Sequence, residues 1–494
     1  MNPTAEQQAA LDLFAKGASM VIQAGAGTGK TSTLELIARS TDRRGAYLAF
    51  NKAIVVESSE RFPGNVACST AHSLGYRALA PEFRARLQSS KRMRPMEIAR
   101  QLRIDPLTIT FGVQRKPMSA GFLAGLAMRA IERFCQTADP TPTAYHVPYV
   151  EGIDVPLPGI DGGELRRGTA NNWLVAKHLE PALARAWADL TDPKGTLRFG
   201  HGHYLKMWQL SSPRIDADFI LFDEAQDASP VLIAVVAAQE NAQRVYVGDE
   251  NQAIYEFTGA VNAMTGFGQD QTSTLSQSFR FGASIADLAN RVLGRIGASL
   301  RLTGNPIINS TVGPVADPDA ILCRTNAKAM EHVFSALSEG RRPHLVGGGT
   351  EVARFAEAGQ SLMEQGWTSH PELACFSTWL DVQTYVEEDA QGGELKLLVG
   401  LVDDFGPDRI IAALRAMPAE SEADVVVSTA HKAKGRQWSS VALADDFPTG
   451  TNRKTGEPEE PSVAELRLLY VAITRARHEV DVIRVGCLNR KGGE

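Results

Sequence analysis

A glycine-rich loop that ends in a lysine and a threonine is the first feature of this sequence that suggests chemistry. It lies between an apolar run, Met20–Gln23, and a helical pattern, and it reads Ala24-Gly25-Ala26-Gly27-Thr28-Gly29-Lys30-Thr31. Glycines let backbone amides curl around phosphates at a helix N-terminus, Lys30 would supply charge to the β- and γ-oxygens, and the Thr31 hydroxyl is suited to ligate Mg²⁺. The pattern predicts a nucleoside triphosphate site; the alternative is a glycine-rich turn that binds nothing.

A second segment, Phe219–Phe222, is a hydrophobic run that ends in acidic residues. It continues as Asp223-Glu224-Ala225-Gln226-Asp227. Mg²⁺ prefers oxygen ligands, and an attacking water needs a base. We therefore expect Asp223 to hold Mg²⁺, directly or through water, and Glu224 to orient and deprotonate the water. The alternative is an acidic strand end that only faces solvent, but beside the glycine-rich loop the pattern favours hydrolysis of a nucleoside triphosphate.

Short apolar runs, each followed by a turn and a helical pattern, recur along the chain and predict a parallel α/β fold. The first set is Met20–Gln23, Tyr47–Phe50, Asn65–Ser69, Phe219–Phe222 and Val245–Val247. Between about Tyr76 and Gly200 the pattern turns helical and then proline-rich, which indicates an inserted subdomain. A second set begins at Ala320 and resumes at Asp424 after a mostly helical stretch. The segment Asp445–Ser462 is dense in turn formers and predicts an exposed loop.

Composition limits the classes of protein to which the chain could belong. The chain has 494 residues, 51 Lys and Arg against 57 Asp and Glu, and a formal net charge of −6. At about 150 residues per domain the length suggests roughly three folded units and excludes a lone small module. The acidic balance argues against coating nucleic acid through bulk positive charge, so any nucleic-acid site is a local groove.

Five cysteines without a C-x-x-C predict neither a disulfide framework nor a metal cluster. The absence of an apolar stretch of about 18 residues leads us to expect an intracellular protein without a membrane partner.

The order of the motifs resembles that of UvrD/Rep-type superfamily 1 helicases. Gln7 is similar to the adenine-reading Q motif, and the family's P-loop also starts with Ala, as at Ala24. Asp223–Asp227 and Val247–Phe257 resemble motifs II and III. The remaining matches are Thr70–Ser73 with motif Ib, Leu275–Arg280 with motif IV, Ser428–Gly435 with motif V and Leu469–Ala476 with motif VI.

Four short segments are similar to the helicase part of the F-box DNA helicases: Ala49–Ala53, Tyr204–Leu210, Ser278–Gly282 and Cys323–Asn326. The P-loop starts within the first thirty residues, so we expect no F-box segment. The resemblance implies an α/β protein with two RecA-like parallel-sheet P-loop domains, each with an inserted mainly helical subdomain, and ATP in the cleft between the domains. The expected boundaries are 1–75 and 196–285 for domain 1A, 76–195 for subdomain 1B, 286–348 and 423–494 for domain 2A, and 349–422 for a short 2B-like insertion.

The resemblance also implies roles for side chains around ATP and Mg²⁺. Arg280 and Arg475 would close on the γ-phosphate, with Arg475 stabilising transition-state charge like an arginine finger. The alternative for either arginine is a surface ion pair. Gln252 would couple the state of the γ-phosphate to the DNA path.

Two further positions differ from the usual family residue. Phe279 stands where the family usually has a Tyr that stacks on adenine, so the aromatic face is kept and a hydroxyl is lost. The alternative is a core Phe beside Phe281. Gln437 replaces a Glu that commonly contacts the ribose.

A motor that steps along one strand needs aromatic platforms for bases and polar groups for phosphates. Tyr255 and Phe257 match family positions that stack on bases, and the next residue, usually Arg, is Thr258 here. Thr70 and His72 would contact the strand as in motif Ib. The full set that the resemblance places on the DNA path is Phe50, Asn51, Thr70, His72, Tyr255, Phe257 and His431.

These features lead us to expect an ATP- and Mg²⁺-dependent DNA helicase or translocase that moves 3′→5′ on single-stranded DNA. The expected partners are single-stranded DNA and single/double-strand junctions, with repair or replication proteins as further partners. Alternatives are a translocase that strips proteins without opening duplex, an ATP-gated clamp that does not hydrolyse, and an RNA helicase. A clamp has no need of Glu224 or Arg475.

Three lesser features have simpler explanations. A basic run opens the first insertion, and both a solvated helix face and a phosphate-contacting face remain open; it comprises Arg84, Arg86, Lys91, Arg92, Arg94, Arg100, Arg103, Arg115 and Lys116. His201 and His203 lack an acidic or thiol partner at ligand spacing, which disfavours a metal site. We expect Cys323 to be buried packing.

Overall fold

The computed structural model describes residues 3–49, 52–89, 93–111, 114–150, 153, 170–254, 261–368, 370, 373, 376, 378–388, 394–451 and 457–489. The chain divides into two compact units. The first comprises Met1–Gln23 and Thr31–Thr274, and the second comprises Ala24–Lys30 and Leu275–Glu494.

The first unit is built on a six-stranded sheet. In chain order the elements up to the end of this sheet are α1 (Ala5–Ala15), β1 (Met20–Ala24), α2 (Lys30–Arg39), β2 (Gly45–Ala49), α3 (Lys52–Arg61), β3 (Val66–Thr70), α4 (Ala71–Ala78), α5 (Pro81–Ser89), α6 (Pro95–Gln101), β4 (Leu107–Phe111), β5 (Gln114–Met118), α7 (Ala120–Gln136), α8 (Ala170–Thr191), α9 (His201–Leu210), β6 (Phe219–Phe222), α10 (Pro230–Ala237), β7 (Gln243–Gly248) and β8 (Thr272–Leu275).

The strands of this sheet are ordered β3-β2-β6-β7-β1-β8. The pairs β2–β3, β2–β6, β6–β7 and β1–β7 are parallel. Every residue of β2 and β6 is buried, as expected for strands of a parallel sheet covered on both faces. Parallel strands place their carboxyl ends at one edge, so the segments after β2, β3, β6 and β7 emerge on the same side of the sheet.

The insertion between β3 and β6 is mainly helical, as the sequence predicts, but it also contains an antiparallel hairpin. β4 pairs with β5 from Leu107 opposite Met118 to Phe111 opposite Gln114. The run Leu107–Phe111 alternates apolar residues with threonine, which suits a half-buried strand, but five residues give a weak signal beside longer helical patterns. The insertion shares one apolar core with the sheet, and α7 contributes fully buried residues such as Leu123 and Phe134.

The second unit has its own six-stranded sheet, ordered β11-β12-β10-β13-β14-β9, in which every described neighbouring pair is parallel. Its elements in chain order are α11 (Ala283–Ile296), β9 (Thr311–Val312), β10 (Ala320–Cys323), α12 (Asn326–Ser338), β11 (Pro343–Leu345), α13 (Thr350–Gln365), α14 (Trp379–Glu388), α15 (Glu394–Phe405), α16 (Pro407–Arg415), β12 (Val425–Thr429), β13 (Trp438–Leu443), α17 (Val463–Ile473), β14 (Ala476–Asp481) and α18 (Gly486–Asn489). Helices α13–α16 form the insertion between β11 and β12. The predicted α/β class, with two parallel-sheet domains and helical insertions, is confirmed.

The loop that follows β13 is less exposed than the sequence predicts. Its described residues hold no helix or strand before α17, as expected. Phe447 is nevertheless fully buried, and the Asp446 carboxylate accepts hydrogen bonds from the backbone amides of Arg324 and Thr325 at 2.8–3.0 Å. These contacts attach the loop to the start of α12, where unpaired amides need acceptors.

None of the helices in the described ranges combines the length and the apolar character that crossing a membrane requires.

Candidate functional site

The P-loop begins where β1 ends and runs directly into α2. Gly27 and Gly29 have φ of +74° and +77°, values that glycine adopts without strain. The Thr28 hydroxyl donates to the Gly25 carbonyl at 2.9 Å, which closes the loop on itself. Lys30 and Thr31 then form the first turn of α2. The loop therefore has the geometry that exposes successive amides at a helix N-terminus.

The P-loop residues Ala24–Lys30 belong by their contacts to the second unit, where they pack closely. The Phe279 amide donates to the Gly27 carbonyl at 2.8 Å, and the Ala26 amide donates to the Tyr470 hydroxyl at 3.1 Å. A Cβ on Gly27 would lie 2.7 Å from Ser278 Oγ, so glycine is also required here for space. Tyr470 was not singled out from the sequence, because an aromatic residue in an apolar helix reads as core.

The acidic strand end is held by a buried tyrosine. Asp223 Oδ2 accepts a 2.8 Å hydrogen bond from the hydroxyl of Tyr47, on the neighbouring strand β2. Burial raises the pKa of Tyr47, and the adjacent Asp223 carboxylate raises it further, so the phenol remains a donor. Asp223 Oδ1 accepts from the Glu224 amide at 2.9 Å. The carboxylate is thus an oriented oxygen donor of the kind that Mg²⁺ prefers.

Glu224 occupies a strained backbone conformation. Its φ is +52° and its ψ is +41°, the left-handed region, which costs a non-glycine residue about 1–3 kcal/mol. Non-glycine residues with positive φ cluster at functional sites, because the surrounding structure must hold them there. This left-handed conformation turns the chain directly after Asp223, and the Glu224 side chain is half-buried.

A buried glutamine connects this carboxylate to the end of β7. Gln226 Nε2 donates to Glu224 Oε2 at 2.6 Å, while its Oε1 accepts from the Asp249 amide at 3.1 Å. Asp249 is fully buried, and its Oδ2 accepts from Gln252 Nε2 at 2.7 Å. A Cβ on Gly248 would lie 2.1 Å from Gln226 Oε1, which explains the glycine at that position. Glu224 and Gln252 are therefore ends of one hydrogen-bonded chain, and its middle members Gln226 and Asp249 carried no assigned role in the sequence.

Gln7 is tied to the helix that follows the P-loop. Its side chain completes a capping box with Thr4 at the start of α1, accepting from the Thr4 amide at 3.0 Å. Its Nε2 donates to the Thr33 hydroxyl on α2 at 3.2 Å. The Q-motif glutamine is thus held beside α2.

Phe279 and Phe281 separate clearly by exposure. Phe281 is fully buried, whereas 45% of Phe279 is exposed. The alternative in which Phe279 is a core residue is therefore wrong, because nearly half of its side chain is exposed.

The sequence-predicted residues of motifs IV, V and VI lie together in the second unit. Arg280 Nε donates to Gln437 Oε1 at 2.9 Å, and Arg280 Nη1 donates to the Thr474 carbonyl at 2.9 Å. Arg475 is 2% exposed, and its Nε donates to the Val471 carbonyl at 2.8 Å.

The predicted strand-contacting residues divide into three groups. Thr70 caps α4, accepting from the Ser73 amide at 3.0 Å, and exposed His72 follows in the first turn. His431, half-buried, follows β12 in the second unit. The others, which lie outside the described residues, are Phe50, Asn51, Tyr255 and Phe257.

A cavity of about 360 Å³ in the first unit joins two of the predicted groups. Its lining includes Thr70 and His72 on one part, and Asp223, Glu224 and Asp227 on another. Residues predicted to contact the strand and residues predicted to act in hydrolysis therefore share one cavity.

The lesser sequence features also have defined surroundings. Throughout the described ranges, no group of three or more His, Cys, Asp or Glu side chains is arranged to hold a metal ion. Cys323 is fully buried, and burial raises its pKa, as expected for packing. Arg86 of the basic run is only 7% exposed and pairs with Asp189 at 2.9 Å, so it belongs to the fold rather than to a charged surface. Arg94, Arg100 and Arg103 are exposed.

Two family models match the chain. One, described as an AAA domain, matches residues 7–258, more than half of the chain. The other, the UvrD-like helicase C-terminal domain, matches residues 424–483. The chain belongs to the UvrD-like superfamily 1 helicases.

Curated relatives of this UvrD-like chain carry helicase names. F-box DNA helicase protein 1 of Schizosaccharomyces pombe is 29% identical over 93% of this chain and 55% of that protein. F-box DNA helicase 1 of Gallus gallus is 28% identical over 96% of this chain and 48% of that protein. DNA helicase IV of Escherichia coli is 27% identical over 53% of this chain and 33% of that protein. The chain thus spans about half the length of the first two relatives.

A solved structure of the PRRSV helicase aligns over 96% of this chain and 54% of that chain, with 10% identity and a TM-score of 0.33. The α/β fold of the UvrD-like chain is shown by its two parallel sheets. The AAA-domain match includes the P-loop and the hydrogen-bonded chain from Glu224 to Gln252, and the C-terminal match includes Arg475. Phe279 and Arg280 fall between the two matches.

Proposed function

We propose that this UvrD-like chain is an ATP-dependent DNA helicase or translocase that moves 3′→5′ on single-stranded DNA. Mg-ATP hydrolysis would drive strand separation or protein displacement. The observation that carries the proposal is the buried hydrogen-bonded chain from Glu224 through Gln226 and Asp249 to Gln252. A carboxylate that activates water is thereby linked to the segment that precedes the predicted base-stacking aromatics, as a motor that couples hydrolysis to stepping requires.

The residues proposed to act on the nucleotide follow from their chemistry. The P-loop amides and Lys30 would hold the phosphates, and Phe279 would stack on the base. Gln7 would read adenine, and Gln437 would contact the ribose. Glu224 would orient and deprotonate the attacking water.

Mg²⁺ fits the donor set of the first unit. Thr31 offers a hydroxyl and Asp223 a carboxylate that Tyr47 orients, and these oxygens would hold the ion. When bound, Mg²⁺ neutralises phosphate charge. Arg280 and Arg475 would add positive charge as the transition state forms, with Gln252 reporting the state of the γ-phosphate.

The strand would contact Thr70 and His72 in the first unit and His431 in the second. Phe50, Asn51, Tyr255 and Phe257 stay sequence predictions on the same path. We assign domain 1A to residues 1–75 and 196–285, subdomain 1B to 76–195, domain 2A to 286–348 and 423–494, and the 2B-like insertion to 349–422. Junctions between single and double strands, and repair or replication proteins, are the proposed partners.

The test is ATP hydrolysis by the purified chain with and without single-stranded DNA. We expect strong stimulation by single-stranded DNA, with weaker effects of single-stranded RNA and of duplex DNA. Stimulation by RNA alone would replace the proposal with an RNA helicase. Nucleotide binding without hydrolysis under all conditions would replace it with an ATP-gated clamp.

Polarity and unwinding need a second assay. Dye-labelled strands that carry the label at the 3′ or the 5′ end give opposite arrival signals for the two directions of movement. A duplex with a 3′ single-stranded tail should be opened, whereas a duplex with a 5′ tail should not. Movement without opening of either duplex would favour a translocase that displaces proteins.

A further inference from the structure

Two exposed histidines share one buried tyrosine hydroxyl in the first unit. Tyr204, on α9, is 3% exposed. Its hydroxyl lies 3.3 Å from Nδ1 of His72 on α4 and 3.2 Å from Nδ1 of His201 on α9. The two imidazole centroids are 6.3 Å apart with perpendicular rings. We call these three residues the His-Tyr-His cluster.

The first turns of two helices position the cluster. His72 is the second residue of α4 and His201 the first of α9, so both imidazoles lie at helix N-termini, where the helix dipole favours anions. Buried Gly75 packs against the tyrosine ring, since a Cβ at this position would lie at van der Waals distance, 3.4 Å, from Tyr204 Cδ2. Tyr76 packs edge-on against Tyr204 with centroids 6.1 Å apart. The packing of the tyrosine ring thus fixes the position of the shared hydroxyl.

The cluster has two protonation states, which differ in the hydrogen-bond donors that the imidazoles present. The hydroxyl has one proton, so it can donate to only one Nδ1, and the other imidazole must donate its own Nδ1–H to the oxygen. In the neutral cluster, one Nε2 therefore carries a proton and the other does not. Adding one proton allows both imidazoles to present Nε2–H while both bonds to the hydroxyl are kept. Neither Nε2 has a hydrogen-bond partner among the residues that the structure describes.

We propose that the His-Tyr-His cluster is a proton-linked binding site for a phosphodiester of the single strand, in which His72 and His201 contact the phosphate and Tyr204 is the positioning residue for both. The inference rests on the proposed function, in which Thr70 and His72 contact the strand. The singly protonated cluster offers a positive charge and two N–H donors, which suit phosphate oxygens. The neutral cluster offers one donor and one lone pair, and the lone pair repels them.

The groups around His72 set the direction of the pH effect. Partial burial lowers the pKa of His72, and the neighbouring His201 lowers it further. The residues of α9 that face His72 are His201 and Tyr204. Tyr76 packs against Tyr204, and the Arg84 guanidinium lies over the Tyr76 ring. The carboxylates that share its cavity are Asp223, Glu224 and Asp227. A bound phosphate favours the protonated form, so affinity should fall as pH rises through the pKa of the complex.

The test is the affinity of the full chain for oligo(dT) between pH 5.5 and 7.5 at constant salt. Linkage to one proton allows up to tenfold per pH unit, and we expect the wild-type dissociation constant to rise by about tenfold across this range. His201→Gln and Tyr204→Phe should each reduce the rise to about threefold or less. At pH 5.5 the log–log salt slope should be steeper than at pH 7.5 by about 0.7, the value for one neutralised phosphate on a single strand, in the wild type but in neither cluster variant.

Tyr204→Phe keeps the buried ring, and His201→Gln changes an exposed side chain, so both should fold; thermal unfolding checks this. His178→Gln, a histidine of the same unit that bonds the Asp105 carbonyl, is the matched control and should behave as wild type. Retention of the full tenfold change in both cluster variants would overturn the inference and leave the proposed function intact. Absence of any oligo(dT) binding by the wild type would overturn the proposed function, and the inference with it.

Discussion

The Tyr47 hydroxyl lies 2.8 Å from Asp223 Oδ2, and this bond joins two adjacent strands at the edge where the nucleotide chemistry is proposed. Tyr47 is fully buried and stacks on Phe62 with ring centroids 4.7 Å apart. The ring is therefore fixed by packing, and its hydroxyl fixes the carboxylate. The carboxylate proposed to hold magnesium is thus oriented by the protein itself.

Tyr47→Phe should weaken the use of Mg²⁺ while leaving the fold intact. The phenyl ring keeps the packing on Phe62, but Asp223 loses a buried donor. We expect the Mg²⁺ concentration for half-maximal ATP hydrolysis to rise by about tenfold, in line with the loss of outer-shell partners at metal sites. Titration of ATPase activity with Mg²⁺ measures this. Tyr246→Phe, which removes a hydroxyl from β7 of the same sheet, is the control, and an equal effect in it would contradict the assignment.

Glu224→Gln should abolish turnover and preserve nucleotide binding. The amide keeps the size of the side chain and an oxygen that can accept from Gln226, but it cannot take a proton from water. We expect kcat to fall by at least about a hundredfold, within the range for loss of a general base. Steady-state hydrolysis and binding of a fluorescent ATP analogue give the two readouts. Glu240→Gln, at an exposed position of the same unit, should retain full turnover; substantial hydrolysis by Glu224→Gln would exclude Glu224 as the base.

Phe279→Ala should raise KM for ATP with little change in stability. The ring is 45% exposed, so its removal leaves no cavity, but a stacking face for the base is lost. Loss of about 1–1.5 kcal/mol of stacking corresponds to roughly a tenfold rise in KM. Neighbouring Phe281→Ala should instead destabilise the fold by about 3–5 kcal/mol, because that side chain is fully buried. Unchanged KM in folded Phe279→Ala would argue against base stacking.

His203 should make stability depend on pH. Its Nδ1 accepts from the Gly200 amide at 2.9 Å, and burial, with a smaller contribution from Arg86, lowers its pKa from 6.5 to about 4. Above pH 6.5 the imidazole is neutral in both folded and unfolded chains, so its contribution is fully present. As pH falls from 6.5 to 4, only the unfolded chain gains the proton, and about 3 kcal/mol of stability is lost.

Chemical denaturation at pH 7.0, 5.5 and 4.5 measures that dependence. His203→Asn keeps an acceptor for the Gly200 amide but does not titrate, so the part of the slope that His203 supplies should disappear. His178→Asn is the control. A slope that is unchanged in His203→Asn would assign the acid sensitivity to other groups.

Arg86→Ala should destabilise the first unit, whereas Arg94→Ala should not. The Arg86 guanidinium donates to Asp189 Oδ1 at 2.9 Å and to the carbonyls of Leu197 and Asp192 at 2.7 and 2.6 Å. Removing one partner of a buried pair costs about 3–5 kcal/mol. Arg94 is exposed, so its removal should change stability by no more than about 0.5 kcal/mol.

The Arg94→Ala substitution should also change DNA binding. Arg94→Ala should reduce the salt slope for single-stranded DNA by about 0.7 if that arginine contacts one phosphate. An unchanged slope would place the exposed arginines of the basic run on a solvated helix face. Arg92, the other residue of interest in this run, lies outside the described residues.

The local geometry of the P-loop and of the acidic strand end could be predicted from sequence, because each depends on a short contiguous segment. The loop Ala24–Thr31 needs only its own glycines to turn and its own helix to present amides. Asp223 and Glu224 follow a four-residue buried strand whose apolar run is unmistakable. The same locality explains why the parallel α/β class and both helical insertions could be inferred from periodicity.

Contacts between distant segments were decided only by the tertiary structure. Tyr47 lies 176 residues from Asp223, and Tyr204 lies 132 residues from His72, so no local pattern joins them. A single sequence also does not distinguish Arg86, buried in an ion pair, from Arg94, exposed nearby, because both have the same side chain in the same basic run. Residue type and local spacing determine which chemistry is available, whereas strand pairing and helix packing determine which groups meet, how far they are buried and therefore which protonation states they adopt.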